Sequence, residues 1–128
     1  SDVYKRQGPC VIKRLRGCGA GCEYVAITPE GDIYPCHQFV GNEDYKLGSL
    51  YDGTFDQELS GRFAGLNIYT REECRDCWAR FYCSGGCSAS NLLVNGDIKK
   101  PHRVGCELER KRLECAIALR AIAAGMAE

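Results

Sequence analysis

The sequence predicts a small, cysteine-rich α+β domain: a β-hairpin, short helical turns around the cysteines and a C-terminal amphipathic helix. Three observations predict it. The stretch EYVAIT at 23–28 is rich in β-branched and aromatic residues, meets turn chemistry at Pro29, Glu30 and Gly31, and resumes as an extended run at 32–34. Cys74, Cys77, Cys83 and Cys87 then follow as CxxCxxxxxCxxxC, with glycines breaking regular structure between them. Finally, Leu108, Cys115, Leu119 and Ile122 recur at helical spacing along 107–124.

Taken in order, the hairpin sets Cys22 and Cys36 at its open end. Leu47 to Tyr51 reads as a short third strand, closed by the Asp52 and Gly53 turn, and a short helix covers Asp56 to Ala64. Thr70 followed by Glu73 reads as a capping box, so a helix should begin at Arg71 and carry Cys74 and Cys77 on one face. Ser84, Gly85 and Gly86 predict a tight turn whose backbone approaches something closely and whose amides could face a negatively charged centre. A helix over Ser88 to Val94 ends at Asn95 and Gly96. The last helix should pack its apolar face on the domain.

At 128 residues the chain is one domain, large enough to bury a core without staples. Ten cysteines are therefore more than stability demands, and they shift weight toward chemistry. The formal net charge is zero, so nothing points to nucleic acid or to a membrane surface. The basic clusters Lys13, Arg14, Arg16 and Arg110, Lys111, Arg112 read as solvated surface. No export-signal pattern is visible, and the longest apolar run, 115–124, is interrupted by Arg120 and falls short of the roughly 20 residues a span needs. A cytoplasmic location follows as the expectation, and there dense cysteine favours metal ligation over disulfides. Residues 1–8 are expected to be non-native or linker, since SDVYKRQ resembles a translated library adapter; the chain would then be a fragment.

Soft thiolates at CxxCxxxxxCxxxC fit tetrahedral zinc in a structural or protein-interaction module, or an iron-sulfur cluster, and ligand type alone does not separate them. A secreted disulfide protein is a third reading. Trp78, Phe81 and Tyr82 lie among the cysteines, either as an apolar wrapping around a redox centre or as ordinary core. Cys18, Cys36 and Cys106 have no place in an ordinary zinc ribbon, which implies a second site.

The order Cys18, Gly31, Cys36, Cys74, Cys77, Cys83, Cys87, Cys106 resembles the SPASM domain, the C-terminal cluster-binding extension of radical SAM peptide-modifying enzymes. GCGAGCEYVAITPEGDIYPCHQFVG (17–41) and EECRDCWARFYCSGGC (72–87) are further similar to the maturases of SCIFF peptides, cysteine-rich precursors that receive thioether crosslinks. The resemblance implies a cluster-binding domain over 9–106, a helix over 107–128 packed on it, and two auxiliary 4Fe-4S clusters with crossed ligation. Cys74, Cys77, Cys83 and Cys106 would hold the second cluster. Cys18, Cys36 and Cys87 would hold the first, with Cys10 or Cys22 as fourth ligand, or with an iron left open for a substrate thiolate.

It further implies a radical SAM core elsewhere in the full-length chain, holding S-adenosylmethionine and its own cluster, and a cysteine-rich precursor peptide as substrate. The core's CxxxCxxC is not found here, so this stretch alone should be inactive. Sulfatase-maturing relatives place an aspartate after the cysteine at the Cys36 position; here His37 stands there, as a candidate base. Cys115 matches no ligand position and is expected as a buried, inert helix cysteine. His102 is assigned to the surface.

Overall fold

The computed structural model describes residues 11–125, so the expectations for residues 1–8 and for Cys10 lie outside the described residues. Helix α1 (Val11–Arg16) leads into a meander of four short antiparallel strands, β1 (Ala26–Ile27), β2 (Asp32–Tyr34), β3 (Gly48–Ser49) and β4 (Thr54–Phe55), in the order β1-β2-β3-β4. The α+β expectation and the hairpin hold. In register, Ile27 faces Ile33, Ile33 faces Gly48, and Gly48 faces Phe55. The fourth strand was not foreseen, because two residues are too few for a periodic signal. Gly31 closes the hairpin at φ +82°, and a Cβ there would meet the Tyr51 ring at 2.7 Å. Only glycine satisfies both demands.

Helix α2 (Gln57–Ala64) starts where expected, with the Asp56 carboxylate accepting from the Leu59 N–H at 2.8 Å. It delivers Leu59 and Phe63 to the core. Phe63 meets Phe39 edge-on with centroids 5.4 Å apart and Tyr45 at 6.1 Å, and Ile33, Leu47, Leu66 and Ile98 close the cluster. The remaining helices are α3 (Glu72–Arg75), α4 (Arg80–Cys83), α5 (Ser88–Asn95) and α6 (Arg103–Ala123). Helix α1 packs on α4, with Arg14 over the Tyr82 ring at 5.9 Å, and Ile68 donates to the Leu15 carbonyl at 2.9 Å.

Several expectations are corrected. The Thr70 capping box does not form: its hydroxyl donates to the Gly65 carbonyl (2.8 Å) and accepts from the Asn67 N–H (2.9 Å), so it serves the preceding turn. Helix α3 also ends before Cys77, whose N–H donates to the Cys74 carbonyl at 3.1 Å. The long helix begins at Arg103, just after Pro101, so the boundary at 106/107 would cut it and Cys106 belongs to its first turns. Its apolar face does not pack on the domain: Leu108, Leu119 and Ile122 are exposed, and so is Cys115, which is not the buried cysteine expected. The cluster Lys13, Arg14, Arg16 is not simply solvated either, since Lys13 and Arg16 pair with Glu23 at 3.1 and 3.4 Å.

Candidate metal centre

The nine described cysteines are all free, and seven of them gather around two cavities. Cys74 comes from α3, Cys77 from the turn after it, Cys83 from the end of α4 and Cys106 from the start of α6. Together they line a cavity of about 420 Å³. Burial pushes the Cys74 thiol up to about 11, with Cys106, Cys83 and Cys77 adding to the rise and Arg71 opposing it. Cys106 is raised too, by burial first and then by Cys83, with Arg110 opposing. Mutual repulsion of this kind arises among thiolates crowded around one space.

Cys18, after α1, Cys36, after β2, and Cys87, before α5, line a second cavity of about 40 Å³ together with Phe39, Phe63 and Leu66. An open groove shared by Cys83, Cys87 and Cys106 connects the two regions. Cys22 lines neither cavity; its thiol donates to the Gly19 carbonyl at 3.4 Å and lies 3.8 Å from an Arg16 guanidinium nitrogen. His37 is exposed at the start of a 3-10 turn, and His102 is half-buried as the residue before α6, rather than fully at the surface.

The aromatics among the cysteines are neither core nor a closed wrapping. Trp78, Phe81 and Tyr82 are 48, 38 and 61% exposed. Two other residues matter more and carried no motif signal. Tyr24 has its phenol raised by burial and by the neighbouring Cys36 and Cys18 thiols, with the His37 backbone amide opposing. Arg71 is buried beside the turn that joins Cys83 to Cys87. The close approach expected of that turn is real, but it is to this guanidinium: a Cβ on Gly85 (φ +91°) would lie 3.0 Å from Arg71 Nε.

A tetrahedral zinc needs sulfurs meeting about 4 Å apart. Among the described residues no three His, Cys, Asp or Glu side chains are grouped to hold a single metal ion. Thiols spread around the wall of a cavity suit a larger group of several irons held by cysteine alone. Arg80 lines the four-thiol cavity, and its buried Nε has no hydrogen-bond partner, a donor that sulfide or thiolate would satisfy. The residues fit an iron-sulfur cluster.

Comparison with known proteins agrees: residues 18–78 match the SPASM family, described as an iron-sulfur cluster-binding domain. Residues 18–78 are thus similar to a SPASM domain. The match takes in Cys18, Cys36, Cys74 and Cys77, while Cys83, Cys87 and Cys106 lie past it. An uncharacterized protein of Archaeoglobus fulgidus is 32% identical over 98 residues, 73% of this chain and 23% of that protein. The PqqA peptide cyclase of Xanthomonas axonopodis pv. citri is 31% identical over 102 residues, 75% of this chain and 26% of the cyclase. That of Xanthomonas campestris pv. campestris is 31% identical over 105 residues, with similar coverage. The chain thus spans about a quarter of the length of the curated relatives it matches. No helix among the described residues is long and apolar enough to cross a membrane.

Proposed function

We propose that this SPASM domain carries two auxiliary 4Fe-4S clusters for a radical SAM peptide-modifying enzyme. The observation that supports it best is the sorting of seven thiols around two cavities, four at one and three at the other. Cys74, Cys77, Cys83 and Cys106 hold one cluster; Cys18, Cys36 and Cys87 hold the other. When bound, such clusters supply one-electron transfer and an iron site for an added thiolate. Cys22, tied to its own loop, leaves the three-thiol centre with a position for Cys10 or for a substrate sulfur.

Relatives named for cyclising a peptide support a peptide substrate. The likeness of 17–41 and 72–87 to SCIFF maturases narrows the proposal to thioether formation in a cysteine-rich precursor. In that step a substrate C–H loses its hydrogen atom to a radical generated by the core, the cysteine thiol loses a proton, and a C–S bond forms. One electron remains, and this domain accepts it. The side chains of this chain hold the sulfur in place, with Phe39 and Phe63 forming an apolar wall.

Anaerobic purification and metal analysis test the reading. Iron and sulfide near eight of each per chain, in a brown sample, are expected of two four-iron clusters. Stoichiometric zinc in a colourless sample would instead identify a structural or protein-interaction module. For the substrate step, the full-length enzyme and its precursor should yield a product lighter by one H2 per crosslink.

A further inference from the structure

Arg71 sits immediately before α3, three residues ahead of Cys74, yet its side chain turns inward and is only 3% exposed as a residue. Its guanidinium donates to the carbonyls of Ile98 (2.7 Å) and Lys99 (2.8 Å) and to the Ser88 hydroxyl (3.0 Å). All three acceptors are neutral. Among the described residues no carboxylate forms an ion pair with it. A guanidinium cannot shed its proton to escape burial, and a buried charge without a counter-charge is costly.

The groups that could balance it are the exposed Asp97, which forms no ion pair with it, and cysteine sulfurs. Burial disfavours its charge most, while Cys74, exposed Asp97, Cys83 and Cys87 favour it; Cys74 and Cys83 line the four-thiol cavity and Cys87 the three-thiol cavity. The chain is also shaped around it. The Cys83 to Cys87 turn runs through left-handed Ser84, Gly85 and Gly86, and Gly85 lacks the Cβ that would press on Arg71 Nε. Ser88, which accepts from Arg71, directly follows Cys87. One cation therefore touches the segment that leaves one thiol set and enters the other.

We propose that Arg71 is the shared counter-ion of the two centres, setting the reduction potentials of both. This deepens the cluster reading and rests on it. Positive charge near a cluster favours its reduced, more negative state, so removal of that charge lowers the potential. Arg71 is a positioning residue: it acts through the cysteines and touches no substrate.

The test reconstitutes the full chain anaerobically with iron and sulfide, as wild type, Arg71→Gln and Arg71→Lys, and measures iron content and both midpoint potentials. Arg71→Gln should move both potentials to more negative values, the four-thiol centre further because two of its cysteines neighbour the charge. Arg71→Lys should recover at least half of each shift. Unchanged potentials in Arg71→Gln, or equal shifts in the two variants, overturn the proposal by reducing Arg71 to a hydrogen-bonding strut. If Arg71→Gln retains no iron, Arg71→Lys decides: iron retained at wild-type potentials supports the counter-ion, and iron lost there as well overturns it. A wild-type chain that takes up no iron overturns the cluster reading itself, a result distinct from a loaded wild type with indifferent variants.

Discussion

Cys74, Cys77, Cys83 and Cys106 surround about 420 Å³ walled by α3, α4 and the start of α6, whereas Cys18, Cys36 and Cys87 close around about 40 Å³ lined by core aromatics. Three of the first four cysteines lie within ten positions of sequence, so two short helical segments and a turn bring them together. The second set is drawn from a turn, a strand end and a helix start that are remote in sequence. It exists only because the sheet and α2 are packed behind it. The four-thiol site is thus mostly a local structure with one distant member, and the three-thiol site is a product of the core. Cys87 shows the difference most sharply, since it belongs to the local motif by sequence but lines the distant cavity.

Substitutions of single ligands give the largest effects and could break this partition. Cys106→Ala and Cys36→Ala should each remove about half of the iron from the reconstituted chain, and each should erase a different paramagnetic signal on reduction. Cys87→Ser should erase the signal that Cys36→Ala erases. If it erased the signal lost in Cys106→Ala instead, the crossed assignment would be wrong.

Core truncation sharpens the contrast next. Phe63→Ala should cost about 3–5 kcal/mol in urea unfolding, because it opens the aromatic cluster. The same variant should loosen iron at the three-thiol centre well before the four-thiol centre, read as faster loss to a chelator.

Proton linkage gives a smaller, signed effect in the metal-free protein. The Cys74 thiol titrates in the folded chain at about 11 against an ordinary 9.0, so its contribution to stability is complete below pH 9 and is lost as pH rises through about 11. Thermal melts of the apo chain should fall across that window, and Cys74→Ala should flatten the fall. Because ligation requires thiolates, iron uptake at the four-thiol centre should also weaken as pH drops.

The smallest effects are expected away from both cavities. Cys115→Ser should change stability by no more than about 0.5 kcal/mol, since the thiol is exposed. His37→Ala should leave the crosslinking rate of a full-length enzyme unchanged, because the side chain is exposed and a metal-held thiolate needs no separate base. A large fall in that rate would make His37 part of the chemistry.

Much of the fold was legible because its signals are local. The hairpin around Gly31 and the Gly96 stop each follow from one residue whose backbone admits few alternatives. The Thr70 box misled because the same hydroxyl had a competing partner in the preceding turn, which the sequence pattern does not rank. The long helix misled for a related reason. Spacing shows that Leu108, Leu119 and Ile122 share a face, but not whether anything stands opposite it, and all three are exposed.

The amino-acid order by itself determined the donor chemistry on offer: thiols, their number, and the tight glycine-bearing turn between Cys83 and Cys87. Tertiary structure alone decided which sulfurs share a cavity and set Arg71 against the turn that joins Cys83 to Cys87, unpaired with any carboxylate among the described residues. The physical reason is range. Turn and cap preferences act over a few bonds, whereas burial and charge depend on which remote segments the core brings together, and no local pattern encodes that.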